Sequence, residues 1–224
     1  MSSRGQGDSK FWRAYARHRY AVLFYALLAT LIVGPIAATV GIPTILIKPM
    51  LGLCLLAAVM PNGTKRSRRV LFALTLAIIV AKEAADESML RASSGWVLIL
   101  VGVIGILTAA ASLRFAITSK TVDGETVSAA LSTYLLAGLF FGQIYWSIET
   151  MRPGSIIGPD PTTELTSIYY SFVTLASLGY GDFLPRTDIT RGLATFEVIG
   201  GQLYLAVLVA RLIGSFSGGT KANE

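Results

Sequence analysis

An all-α membrane protein is the fold class this sequence predicts, and three observations predict it. Only 14% of its 224 residues are charged and 53% are apolar, whereas a soluble chain of this size carries about 25% charged residues. The charges are clustered, which leaves six apolar runs of spanning or near-spanning length. Between the last two runs lies a short helical stretch followed by Gly179-Tyr180-Gly181-Asp182, which suits neither a helix nor a strand.

The runs are expected as crossing helices at 20–40, 43–60, 70–85, 96–118, 128–149 and 191–214, a crossing needing about 17–25 residues. The first follows Lys10, Arg13, Arg17 and Arg19. It is too long for the apolar part of a signal peptide and is read as retained. The second and third runs are short, and Lys48 near one end of the second is expected to snorkel toward the headgroups. The lone Cys54 excludes an intrachain disulfide and reads as packing. His18, the single histidine, reads as a solvated residue of a basic juxtamembrane stretch. In the fifth run Gly138 and Gly142 share one helix face, which permits close helix approach in a membrane. The sixth is interrupted by Gly200-Gly201 and carries Glu197, a carboxyl group where charge is expensive.

Lys and Arg set the expected orientation. The arm 1–19 holds Arg4, Lys10, Arg13, Arg17 and Arg19, and the loop after the second run holds Lys65, Arg66, Arg68 and Arg69. The positive-inside rule places both in the cytoplasm. The acidic loop with Glu83, Asp86 and Glu87 then falls outside, with the stretch 150–188, and both termini end inside. The net charge of +6 is thus a matter of orientation, not of nucleic-acid binding. No paired carboxylates, His/Cys cluster or phosphate loop supports an enzyme.

The stretch after the fifth run is rich in Pro and Gly (Pro153, Gly154, Gly158, Pro159, Pro161) and reads as a turret-like connection. Asp160-Pro161 suits a helix start, with Asp as the cap and Pro in the first turn, and Glu164 favours the positive end of the helix dipole. A helix over 161–176 would be roughly 24 Å long, too short to span. It must dip in and return, with the glycine stretch as the return. Irregular backbone at that depth is tolerated only where protein buries it or a wet cavity adjoins it.

Thr174, Ser177, Gly179, Tyr180, Gly181 and Asp182 form the pattern Thr-x-x-Thr/Ser-x-Gly-Tyr-Gly-Asp. From average composition it arises in a chain of this length on the order of once in 10⁵. The stretch 177–182 resembles the selectivity filter of the tetrameric potassium channels, the standard example of an ion filter made from backbone carbonyls. The resemblance covers roughly 128–215. Two positions depart from the family's usual residues, Ser177 for Thr and Leu178 for Val.

The resemblance implies a pore domain over 121–215, made of a helix, a pore helix (161–176), the filter (177–182) and a last helix. A four-helix domain (20–120) precedes it, and a short cytoplasmic tail (216–224) follows. It implies a fourfold symmetric homotetramer, because one chain with one motif donates one oxygen per layer. Backbone carbonyls of Ser177, Leu178, Gly179 and Tyr180 would bind K+, the only bound species expected, with no organic cofactor. Thr174, Gly181 and Asp182 would complete the filter region. Tyr169, Tyr170 and Glu197 would support it, Glu197 by meeting a hydroxyl such as that of Thr174, as a brace or a gating switch. Asp182 is expected either to bond behind the filter or to remain a solvated carboxylate at the mouth. Of Gly200 and Gly201, Gly201 stands where the family often has a hinge glycine, with close helix packing as the alternative, and Leu205, Val209 and Ile213 recur every four residues on a face that lines the inner pore or meets lipid. Voltage-gated members carry a cation at every third position of the fourth helix, but this chain has only Arg114 there. The tail leaves no room for a fused regulator, though a separate regulatory subunit is compatible with it.

The expected function is therefore passive, K+-selective conduction across a bacterial cytoplasmic membrane. Three rivals stand beside it: a weakly selective cation pore, a subunit of a potassium transporter, and a non-conducting sensor or assembly subunit.

Overall fold

The computed structural model describes residues 18–40, 123–220 and scattered helical residues between 99 and 118. The runs 43–60 and 70–85, with Lys48 and Cys54, lie outside the described residues, and 96–118 lies within them only in part. Among the described residues the elements are α1 (Arg19–Val40), α2 (Gly124–Met151), β1 (Ile156–Ile157), α3 (Glu164–Leu175), β2 (Leu184–Pro185) and α4 (Asp188–Thr220). Three helices among them are long and apolar enough to cross a membrane, over Arg19–Ala37, Gly124–Met151 and Asp188–Gly214.

Local chemistry sets the ends of these helices. Asp123 caps α2 by accepting from the Thr126 N–H at 2.9 Å and the Thr126 hydroxyl at 2.7 Å. These bonds hold its carboxyl group below the usual carboxylate range. α3 begins later than the sequence suggests. Thr163 is its cap, not Asp160, and Thr163 and Thr166 satisfy each other's backbone N–H groups. Two adjacent hydroxyls three residues apart outcompete the Asp-Pro signal. The resulting helix has 12 residues, roughly 18 Å, which strengthens the argument that it cannot cross.

The packing fixes relative directions. The Tyr20 N–H donates to Glu125 Oε2 at 3.0 Å, so the N-terminal ends of α1 and α2 lie together. At the other end of α1, Gly34 lies near Leu165 at the start of α3. α1 and α2 are therefore parallel. α4 runs antiparallel to α2, since Tyr204 stacks near Tyr134 and Phe196 near Phe141. Gly102 approaches Ile144 and Gly105 approaches Phe140, an antiparallel arrangement against α2. The core between α1 and α2 is made of Tyr20, Leu23, Leu27, Ala129, Leu136, Leu139 and Phe140.

The turret is more ordered than its composition suggests. β1 pairs antiparallel with β2, Ile156 opposite Pro185 and Ile157 opposite Leu184. Glu149 anchors it by accepting from the N–H groups of Gly154 (2.7 Å) and Ile156 (3.0 Å). The two-residue ladder ties the chain leaving α2 to the chain entering α4, with the 177–182 loop between them.

Candidate functional site

α3 lies on α2 where two glycines leave room for it. A methyl group on Gly138 would meet Phe172 at 2.5 Å, and one on Gly142 would meet the Ile168 Cα at 2.6 Å. The glycine face expected from the sequence thus seats α3. The C-terminal end of α3 is closed by the chain itself, with the Ser177 N–H bonded to Thr174 O and the Leu178 N–H to Val173 O, both at 2.9 Å. α4 crosses that end closely, because a methyl group on Gly201 would lie 2.6 Å from Leu175 O. Gly200 meets nothing within 4 Å. α4 is continuous through both glycines.

The loop itself has an alternating backbone. Ser177, Gly179 and Gly181 have φ of 56°, 59° and 79°, while Leu178 and Tyr180 between them do not take positive values. Residues of left-handed φ thus alternate along the loop with residues that lack it. Glycine adopts positive φ at no steric cost, and Ser177 is the one non-glycine residue among those described that adopts it. Leu178 and Tyr180 are 56% and 66% exposed in the single chain.

Around the loop, three groups act as props. The Tyr169 hydroxyl donates to Asp182 Oδ2 at 2.8 Å, and Asp182 is itself exposed in the single chain. Tyr169 also meets Phe183 edge-on at 6.1 Å, and Tyr170 meets Tyr145 edge-on at 4.8 Å. Glu197 is 1% exposed and accepts from the Tyr145 hydroxyl at 2.9 Å and the Ser171 hydroxyl at 2.5 Å. The Ser171 oxygen also lies 2.7 Å from Gly138 O, so its single proton is shared between that carbonyl and Glu197. Glu197 is therefore a junction of α2, α3 and α4. Its partner on α3 is Ser171, one turn earlier than the expected Thr174, which lines a cleft beside the loop with Ser177, Gly179 and Gly181.

Leu205, Val209 and Ile213 all lie on exposed parts of α4. Tyr145, Ser171, Glu149 and Gln202 make contacts in this region that the sequence alone does not single out. Tyr145 and Ser171 had a signal, since each is a polar group inside an apolar stretch. Gln202 donates from Nε2 to Ser177 Oγ at 2.8 Å.

The sequence of this region matches known proteins. Residues 129–217 fit the family described as ion channel. A stretch of 88 residues is 30% identical to the inward rectifier potassium channel Kirbac3.1 of Paramagnetospirillum magnetotacticum, covering 38% of this chain and 27% of that relative. The chain thus spans little more than a quarter of that relative's length. No solved structure matches.

Proposed function

We propose that residues 129–217, which match the ion-channel family, are a pore domain of the potassium channel superfamily, and that four copies of this chain form a pore that passes K+ passively through a carbonyl-lined filter. The observation that carries this reading is the positive φ at every second residue from Ser177 to Gly181. A row of neutral carbonyl oxygens on one side of a strand can replace the water shell of an alkali cation. In this reading the ligands are the carbonyls of Ser177, Leu178, Gly179 and Tyr180, with the Ser177 hydroxyl at the inner end. Tyr169 and Asp182 hold the outer mouth, and Glu197 holds the pore helix against its neighbours.

The filter spans the outer half of the bilayer. Its inner end meets Gln202, roughly 20 Å along α4 from Asp188 at 1.5 Å per residue. The C-terminal carbonyls of α3 then point toward mid-membrane, where the helix dipole favours a cation by a few tenths to about 1 kcal/mol per helix. Helix directions support the six-span reading. Parallel α1 and α2 require an odd number of crossings between them, as the runs at 43–60, 70–85 and 96–118 provide. They also place the start of α1 and the end of α4 on one side, which the basic arm assigns to the cytoplasm.

The test is ion flux from liposomes holding the purified protein, under opposed potassium and sodium gradients. Potassium flux with a reversal potential near the potassium equilibrium value is the expected result. Equal permeability would favour the weakly selective reading, and no flux in any lipid tested would sink conduction altogether.

A further inference from the structure

Resting on the filter reading above, we infer that Gln202 is a positioning residue that sets the innermost ion ligand and hence the preference for K+ over Na+, by holding the Ser177 hydroxyl. The backbone of Ser177 is fixed from behind by the bonds from its own N–H to Thr174 O and from the Leu178 N–H to Val173 O. Its side chain is not fixed in that way. Serine has no second group on Cβ, so its oxygen can occupy any of three staggered positions. Only some of these keep that oxygen beside the carbonyl row. Among the described residues, the hydrogen bond that holds Ser177 Oγ is the one from Gln202 Nε2 at 2.8 Å.

That bond comes from a well-placed donor. Gln202 follows Gly201, where the missing side chain lets α4 lie against Leu175 O. The base of α3 therefore fixes the height of Gln202 along the loop. A primary amide near mid-membrane is costly unless it is used, and Ser177 is the use the structure gives it. A hydroxyl oxygen has two acceptor positions. The amide takes one, which leaves the other for a cation or its last water.

Threonine supplies the test, because its β-branch restricts χ1 without outside help. Potassium-to-sodium permeability ratios are to be measured by reversal potential in liposomes for the parent, Gln202→Leu, Gln202→Asn, Ser177→Thr and Ser177→Thr with Gln202→Leu. Native electrophoresis checks assembly of each. Asparagine keeps the amide but is one methylene too short to reach. Both Gln202 variants are expected to assemble as the parent does and to lose about threefold to tenfold in permeability ratio, the range one hydrogen bond supports. In the Ser177→Thr background the same Gln202→Leu change is expected to cost less than about twofold, since coupled residues are not additive. A ratio unchanged in Gln202→Leu, or a loss just as large in the Ser177→Thr background, overturns the inference. A parent that conducts while Gln202→Leu is unchanged sinks this inference alone, whereas a parent that passes no ion removes the filter reading with it.

Discussion

Removing the Glu197 carboxyl group takes the acceptor from the buried Tyr145 hydroxyl, while the Ser171 hydroxyl keeps Gly138 O. An unsatisfied buried donor costs about 1–3 kcal/mol, so Glu197→Ala is expected to lower the melting temperature of the solubilised protein by several degrees. Glu197→Gln keeps the shape and one carbonyl acceptor and is expected to lose much less. Equal melting of the Ala variant and the parent would mean that the junction does not hold the three helices. The junction was half legible in the sequence. A carboxyl group in the middle of an apolar run announces that it must face protein. The hydroxyl it would find was misplaced by one turn, because Ser171 and Thr174 are three apart and share a helix face. Tyr145 stood out only as a polar group in an apolar run, and its pairing with Glu197 over 52 residues was out of reach, since it depends on how α2 and α4 pack.

At the scale of elements, the two glycines of α4 look alike in sequence and differ in the fold. Gly201 lets the helix touch Leu175 O, while Gly200 faces open space. Gly201→Ala is expected to destabilise the protein by about 1–3 kcal/mol through overpacking. Gly200→Ala is expected to be neutral or to stabilise by up to about 1 kcal/mol through helix propensity. Thermal melting of both variants in detergent decides it, and equal effects would refute the packing account. The three long helices among the described residues were legible from hydropathy alone, to within a few residues at most ends. The pore-helix start was not, because an Asp-Pro pair and a Thr-x-x-Thr pair both fit a helix start, and the reciprocal bonds of Thr163 and Thr166 take it. The short β1–β2 ladder was hidden for a similar reason. Two residues carry no periodicity, and the ladder exists because Glu149 and the ends of α2 and α4 bring its halves together.

Across the whole molecule, burial falls off steeply from α2 to α4. Within the spanning windows 61% of α2 is buried against 11% of α4. Lipid could cover an exposed apolar helix, so α4 by itself demands nothing more. The 177–182 loop does demand more. It is non-helical, its residues are exposed in the single chain, and it lies against the middle of α4. Unpaired peptide groups at that depth cannot face hydrocarbon, where each costs several kcal/mol. They can face only other protein or a water-filled space, and among the described residues nothing covers them. In the proposed pore further copies close around the loop, in a ring in which each copy offers the same side. Four is the number proposed. The detergent-corrected mass by light scattering is therefore expected at about four times the 23.9 kDa of one chain, and cross-linking is expected to saturate at the tetramer. Stable monomer at concentrations that support flux would mean that one chain satisfies this loop unaided, and the account of the pore would fall with it.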